Sequence, residues 1–163
     1  MLLAVLLLLA PVLISAAVQR GPAVKLEKLN GQLQAYYDGS TSTCCNSVVM
    51  LSVGTTMTVS DYSDLAENIV VQSPGVVIVI MDPNPGGLKQ DGKKYANVAN
   101  VIVSNITHLV PNSCCEQEPH QGYFIGGHSC GGQGMNFTVS GFIGLDPFQI
   151  DKKDMMIGIP SLN

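Results

Sequence analysis

The chain has 163 residues, enough for one domain with its own core, and a net charge of -4 with only 12% charged residues. No cluster of Lys and Arg forms a basic patch, which argues against nucleic acid as a partner. The hydrophobic fraction, 46%, is that of an ordinary globular protein, and no repeat or low-complexity tract interrupts it.

The N-terminus stands apart from the rest. Residues 2–14 are an apolar run broken by Pro11, short for a membrane span. Ser15, Ala16 and Ala17 then supply the small residues of a cleavage site. The segment lacks a basic start, its first charge being Arg20. We read residues 1–17 as a secretory signal peptide, with an uncleaved anchor as the alternative. After cleavage no stable membrane span is expected, and the chain is expected to be secreted or to reside in the endomembrane lumen. Residues 18–163 read as one domain.

Residues 24–38 carry Asn30-Gly31 between two alternating runs, a hairpin signal. Residues 47–53, SVVMLSV, read as a buried strand, followed by a Gly54-Thr55-Thr56 loop. Ser60 or Asp61 is expected to cap a helix whose apolar stripe is Tyr62, Leu65, Ala66, Ile69 and Val70. Pro74-Gly75 ends it. Residues 76–81, VVIVIM, are a continuous apolar strand, the pattern of a strand covered on both faces. The segment 82–87, DPNPGG, is a loop, with Asp82 suited to a loop or pocket role. Residues 94–110 form a second helix with Val98, Ile102, Ile106 and Leu109 inward. Strands follow at 122–126 and 141–145 with a short helix between them, and Met155–Ile159 could open another. This order, a hairpin followed by β-α-β-α-β-α-β, implies an α/β protein with a mostly parallel sheet.

Of the five cysteines, Cys44-Cys45 and Cys114-Cys115 are adjacent pairs and Cys130 stands alone. A secreted setting permits disulfides, and adjacent cysteines rarely bridge each other, so bonds between the pairs are more natural. The connectivity stays open. A metal site is the weaker alternative, because the spacing is not that of zinc ligands. Asn105-Ile106-Thr107 is a glycosylation sequon on the polar side of a helix; a second, at Asn136, lies just behind residue 131 in a segment expected to be buried.

Residues 127–131 read Gly-His-Ser-Cys-Gly, a G-x-S-x-G. The pattern alone is weak, but here a strand enters it and a helix leaves it, as a nucleophile elbow demands. The turn is tight, so the residues flanking the serine must be small. The following helix N-terminus faces the oxyanion that forms during acyl transfer. Two backbone donors are needed there. One is the amide of Cys130, and the other comes from the loop after the earlier strand, where Thr55 is the first choice and Thr56 the second. Asp146 ends a later strand, where a triad carboxylate belongs; Asp151 and Asp154 are fallbacks.

Three stretches together resemble a known family: GGHSCGG, GFIGLDPF, and VVMLSVGTTMTVSDYSDLAENIVVQSPGVVIVIMDP. They are similar to the chlorophyllases and their relatives in the α/β-hydrolase superfamily, including platelet-activating-factor acetylhydrolase-like and polyester-hydrolase-like esterases. The resemblance spans residues 45–150. It implies a three-layer, mostly parallel α/β-hydrolase sheet preceded by the N-terminal hairpin. It implies Ser129 as nucleophile, Asp146 as acid, and Thr55 and Cys130 at the oxyanion hole. The implied reaction is hydrolysis of a small-molecule or lipid-like carboxylic ester through an acyl-enzyme, with no metal and no other cofactor. In that fold the strands at 47–53 and 122–126 are parallel neighbours. The cysteine pairs then lie together at the sheet's amino edge, away from the site.

One part of the pattern is missing. The superfamily order is Ser, acid, then His. None of the three histidines, His108, His120 and His128, follows Asp146. His108 falls on a helix flank, His120 in a loop, and the His128 side chain is expected to point away from the serine hydroxyl. With the short helix after the elbow, this reads as a domain truncated after about the sixth or seventh strand. An impaired or non-catalytic relative is the alternative reading.

Overall fold

The structure, a computed structural model, describes residues 18–26, 31–39, 45–82, 92–111, 115, 122–128 and 141–145. The expected leader at 1–17, the loop after Asp82, the helix after the elbow and the patch at 155–159 lie outside the described residues.

Seven strands form one sheet: β1 (Val18–Arg20), β2 (Val24–Leu26), β3 (Gly31–Asp38), β4 (Ser47–Ser52), β5 (Val76–Asp82), β6 (Gly122–His128) and β7 (Gly141–Leu145). Their order is β1-β3-β5-β4-β6-β7, with β2 also paired to β3. β4 is parallel to both β5 and β6, and β6 is parallel to β7. β3 is antiparallel to β5, β1 and β2. The sheet is therefore mostly parallel with an antiparallel N-terminal flank.

Two helices join the parallel strands: α1 (Ser63–Gln72) between β4 and β5, and α2 (Gly92–Leu109) between β5 and β6. Strand alternation explains why β4 and β5 are apolar throughout. Val48, Met50, Val77, Val79 and Met81 join one core with Tyr95, Val98, Ile102 and Ile106 of α2. Val49, Leu51, Ile78 and Ile80 join the opposite core with Tyr62, Ala66 and Val70. Each strand thus buries both faces, and a one-residue slip would exchange the two cores.

The α2 stripe read from the sequence is correct: Val98, Ile102, Ile106 and Leu109 are all buried. Four readings need correction. The hairpin is present, but Leu26 pairs with Gly31, so residues 27–30 connect the strands and Gly31 opens β3. Second, the strand β1 went unread because it is only three residues long. It lies on the same side of β3 as β2, separated by Gly21, Pro22 and Ala23. The Gly21 amide donates to the Ala35 carbonyl at 2.9 Å, and Pro22 then has no amide to continue the ladder. Gly21 also meets α2 so closely that a Cβ would sit 1.9 Å from the Leu109 carbonyl oxygen.

Third, the start of the first helix is earlier than Ser60 or Asp61. A 3-10 turn, Val59–Tyr62, precedes α1, and Thr58 opens it. The Asp61 carboxylate accepts from the Thr58 amide at 2.6 Å and from its hydroxyl at 2.9 Å. These bonds hold its pKa below the usual carboxylate range. Fourth, Leu65 is 39% exposed and not part of the buried stripe. Ala66 and Val70 centre the buried face of α1, and Leu65 lies about 100° round the helix from Ala66, at the edge of that face.

Cys45 and Cys115 form a disulfide just before β4 and near the start of β6, at the amino edge. Cys44 and Cys114 lie outside the described residues. The bond closes a separation of 70 residues, so replacing both cysteines with serine is expected to cost about 4 kcal/mol by the chain-entropy relation. Urea unfolding under non-reducing conditions checks this, with the midpoint of the double variant falling well below that of the parent.

Candidate active site

β4 sits between β5 and β6, and the chain leaves it first towards β5 and returns on the other side as β6. The loops after β4 and β6 therefore part at the carboxyl edge. Such a switch point is where open α/β sheets bind ligands. The strand ends Ser52, Asp82, His128 and Leu145 lie at this edge. β6 runs two residues further than the sequence indicated, through Gly127 and His128. His128 pairs in register with Leu145 of β7. Ser129 and Asp146 are the next residues of the chain after this pair; they and Cys130 lie outside the described residues.

The loop after β4 is a tight turn. The Met57 amide donates to the Gly54 carbonyl at 3.2 Å, with Thr55 and Thr56 between them. Thr56 has φ 65°, and no other described non-glycine residue has positive φ. A turn with positive φ only at its third residue is of type II, which normally takes Gly there. A β-branched residue in this region stores strain, so Thr56→Gly is expected to raise stability by about 1 kcal/mol. A higher thermal midpoint would show it. The Thr55 amide donates to no described residue. The Thr55 Oγ1 is buried and has no hydrogen-bond partner among the described residues. Thr55 thus brings to this edge an amide and a hydroxyl that no described residue engages.

The sequence reading missed Tyr62. It counted the residue as apolar stripe, yet a tyrosine at a buried position needs a partner for its hydroxyl. Tyr62 is 5% exposed. Its hydroxyl accepts from the Gly54 amide at 2.9 Å and lies 2.6 Å from His128 Nδ1. Met57 Sδ is 3.2 Å away. Burial pushes the Tyr62 pKa up, partly opposed by the Gly54 amide, so the phenol is neutral at ordinary pH. Gly54 has to be small here, because a Cβ on it would stand 2.8 Å from His128 Nδ1. Nearby, Ser52 Oγ donates to the Tyr95 hydroxyl at 2.8 Å, tying the end of β4 to α2.

The other histidines do not approach this edge through any described contact. His108 is exposed on α2, as the sequence implied, and His120 lies outside the described residues. Asn105 is exposed, and its side chain donates to the Val101 carbonyl at 2.8 Å where α2 kinks. Asp82 is buried at the end of β5. Among the described residues, no group of three or more His, Cys, Asp or Glu could hold a metal ion. No described helix is long and apolar enough to cross a membrane.

No protein-family model and no curated protein matches the chain. Solved structures do. The Francisella virulence factor BioJ superposes with a TM-score of 0.53 at 16% identity, covering 71% of this chain and 36% of its own. The esterase Est22 superposes with a TM-score of 0.50 at 13% identity, covering 72% of this chain and 36% of its own. The chain has the α/β-hydrolase fold. It spans about a third of the length of these two α/β-hydrolase structures. In an α/β-hydrolase the nucleophile elbow and one oxyanion donor come from the loops after two neighbouring strands.

Proposed function

We propose that the chain acts as a carboxylic ester hydrolase with Ser129 as nucleophile. One observation carries this reading: β6 delivers the chain to residue 128 at the switch point, beside the loop whose Thr55 amide meets no partner among the described residues. In the proposed reaction Ser129 Oγ attacks the ester carbonyl and the alcohol departs, leaving an acyl-enzyme that water cleaves. The amides of Thr55 and Cys130 receive the oxyanion of each tetrahedral intermediate. Asp146 is the carboxylate that orients a base. The three quoted stretches favour a chlorophyllase-like type acting on small-molecule or lipid-like esters. The apolar leader and the Cys45–Cys115 bond favour a secreted or lumenal setting.

The histidines support a second reading. His128 has its Nδ1 engaged by Tyr62, and His108 is exposed on α2. Within these residues Ser129 has no identified base, which favours ester binding with little turnover. A fluorophosphonate probe together with short-chain p-nitrophenyl esters separates the two. An adduct on the peptide containing Ser129 with ester turnover supports the hydrolase. An adduct without turnover supports the binding relative. A folded chain that gives neither overturns the assignment of Ser129.

A further inference from the structure

Tyr62 ties the loop after β4 to the end of β6, the two places from which the proposed site would be built. From the loop after β4 it accepts the Gly54 amide, one residue before Thr55. From β6 it meets Nδ1 of His128, one residue before Ser129. The sequence separation between Tyr62 and His128 is 66 residues, so this is a tertiary tie and not a feature of the turn itself.

The chemistry of the contact sets the protons. The hydroxyl has one proton and two neighbours that could take it, His128 Nδ1 at 2.6 Å and Met57 Sδ at 3.2 Å. An imidazole nitrogen is a far better acceptor than a thioether sulfur. The Gly54 amide has a proton to give and occupies a lone pair of the phenol oxygen. The chain of bonds therefore runs in one direction: Gly54 N–H to the Tyr62 oxygen, and Tyr62 O–H to Nδ1. A neutral His128 then carries its proton on Nε2. In that form neither ring nitrogen can take a proton from a serine, because one is already accepting and the other is already protonated.

We propose that Tyr62 is a positioning residue, locking the oxyanion loop to the strand that carries the nucleophile and holding His128 as the Nε2–H tautomer. The catalytic half of this inference rests on the hydrolase reading above. The buried, neutral phenol joins the loop after β4 to the last residue of β6. It fixes the end of β6 against the loop that carries Thr55. Gly54 serves the same contact from the other side, because a side chain there would press on His128.

Two measurements on the full chain test the lock. Histidine ¹⁵N NMR should show His128 with Nε2 protonated and Nδ1 accepting, and Tyr62→Phe should shift Nδ1. Phosphonate labelling of Ser129 should slow by about 10- to 100-fold in Tyr62→Phe and in Gly54→Ala, because both displace the oxyanion donor. Circular dichroism confirms that the variants are folded. A protonated Nδ1 in the parent, or ring shifts unchanged in Tyr62→Phe, overturns the lock. Changed ring shifts with unchanged labelling overturn the positioning role. If the parent is not labelled at all, the hydrolase reading fails, and the NMR result alone decides the Tyr62 contact.

Discussion

Ser129→Ala is expected to abolish the phosphonate adduct, while Cys130→Ala is expected to leave it at the parental rate. The two residues are adjacent, and both carry side chains that phosphonates or related electrophiles could modify. The elbow geometry expected from a strand-in, helix-out G-x-S-x-G exposes only its central residue. Cys130 contributes its backbone amide, which alanine retains. Ester turnover follows the same pattern, and loss of the nucleophile costs about 10⁶-fold where a complete triad operates. Intact-mass spectrometry of labelled protein, followed by peptide mapping, reads both variants. An adduct that survives in Ser129→Ala and vanishes in Cys130→Ala would transfer the nucleophile to the thiol.

The α/β architecture was legible because burial on both faces leaves an unmistakable trace. SVVMLS and VVIVIMD have almost no polar interruptions, and the helix between them has one apolar stripe. Adjacency of the cysteines already favoured bonds between the two pairs, and the resemblance, which makes the strands at 47–53 and 122–126 neighbours, placed the pairs together at the amino edge. Cys45–Cys115 bears that out. Short elements were not legible. β1 has three residues, and its pairing is decided by β3, not by any periodicity of its own. The Asn30-Gly31 signal announced the hairpin but not its register, which pairs Leu26 with Gly31 and buries Leu26 and Leu33.

Of the candidate site, the described residues hold only the Thr55 loop and the end of β6. Thr55 was singled out by its place after a strand, and its buried, unpartnered Oγ1 adds an observation no sequence carries. Tyr62 was hidden in plain view. Its ring satisfies the helical stripe, so periodicity accounts for the residue fully and leaves the hydroxyl unexamined. The contact with His128 crosses between elements, and composition cannot reveal such a pair. The useful signal is the choice of tyrosine at a core position where leucine or phenylalanine would serve packing equally well.

Thr55→Pro is expected to slow phosphonate labelling by about 10²- to 10³-fold, the usual consequence of losing one oxyanion donor. Thr55→Val is expected to leave labelling unchanged. Proline removes the amide proton and fixes φ, and the second position of a type II turn is where proline fits best. The turn is closed by the Met57 amide and the Gly54 carbonyl, neither of which the substitution touches. The loss therefore falls on the donor and not on the loop. Valine keeps the amide and the shape while deleting the orphaned hydroxyl, so the folded state no longer buries an unpaired polar atom. Its stability should hold or rise by about 1 kcal/mol. Labelling unchanged in Thr55→Pro would move the donor to the Thr56 amide. Labelling lost in Thr55→Val would mean that the hydroxyl, and not the amide, meets the oxyanion.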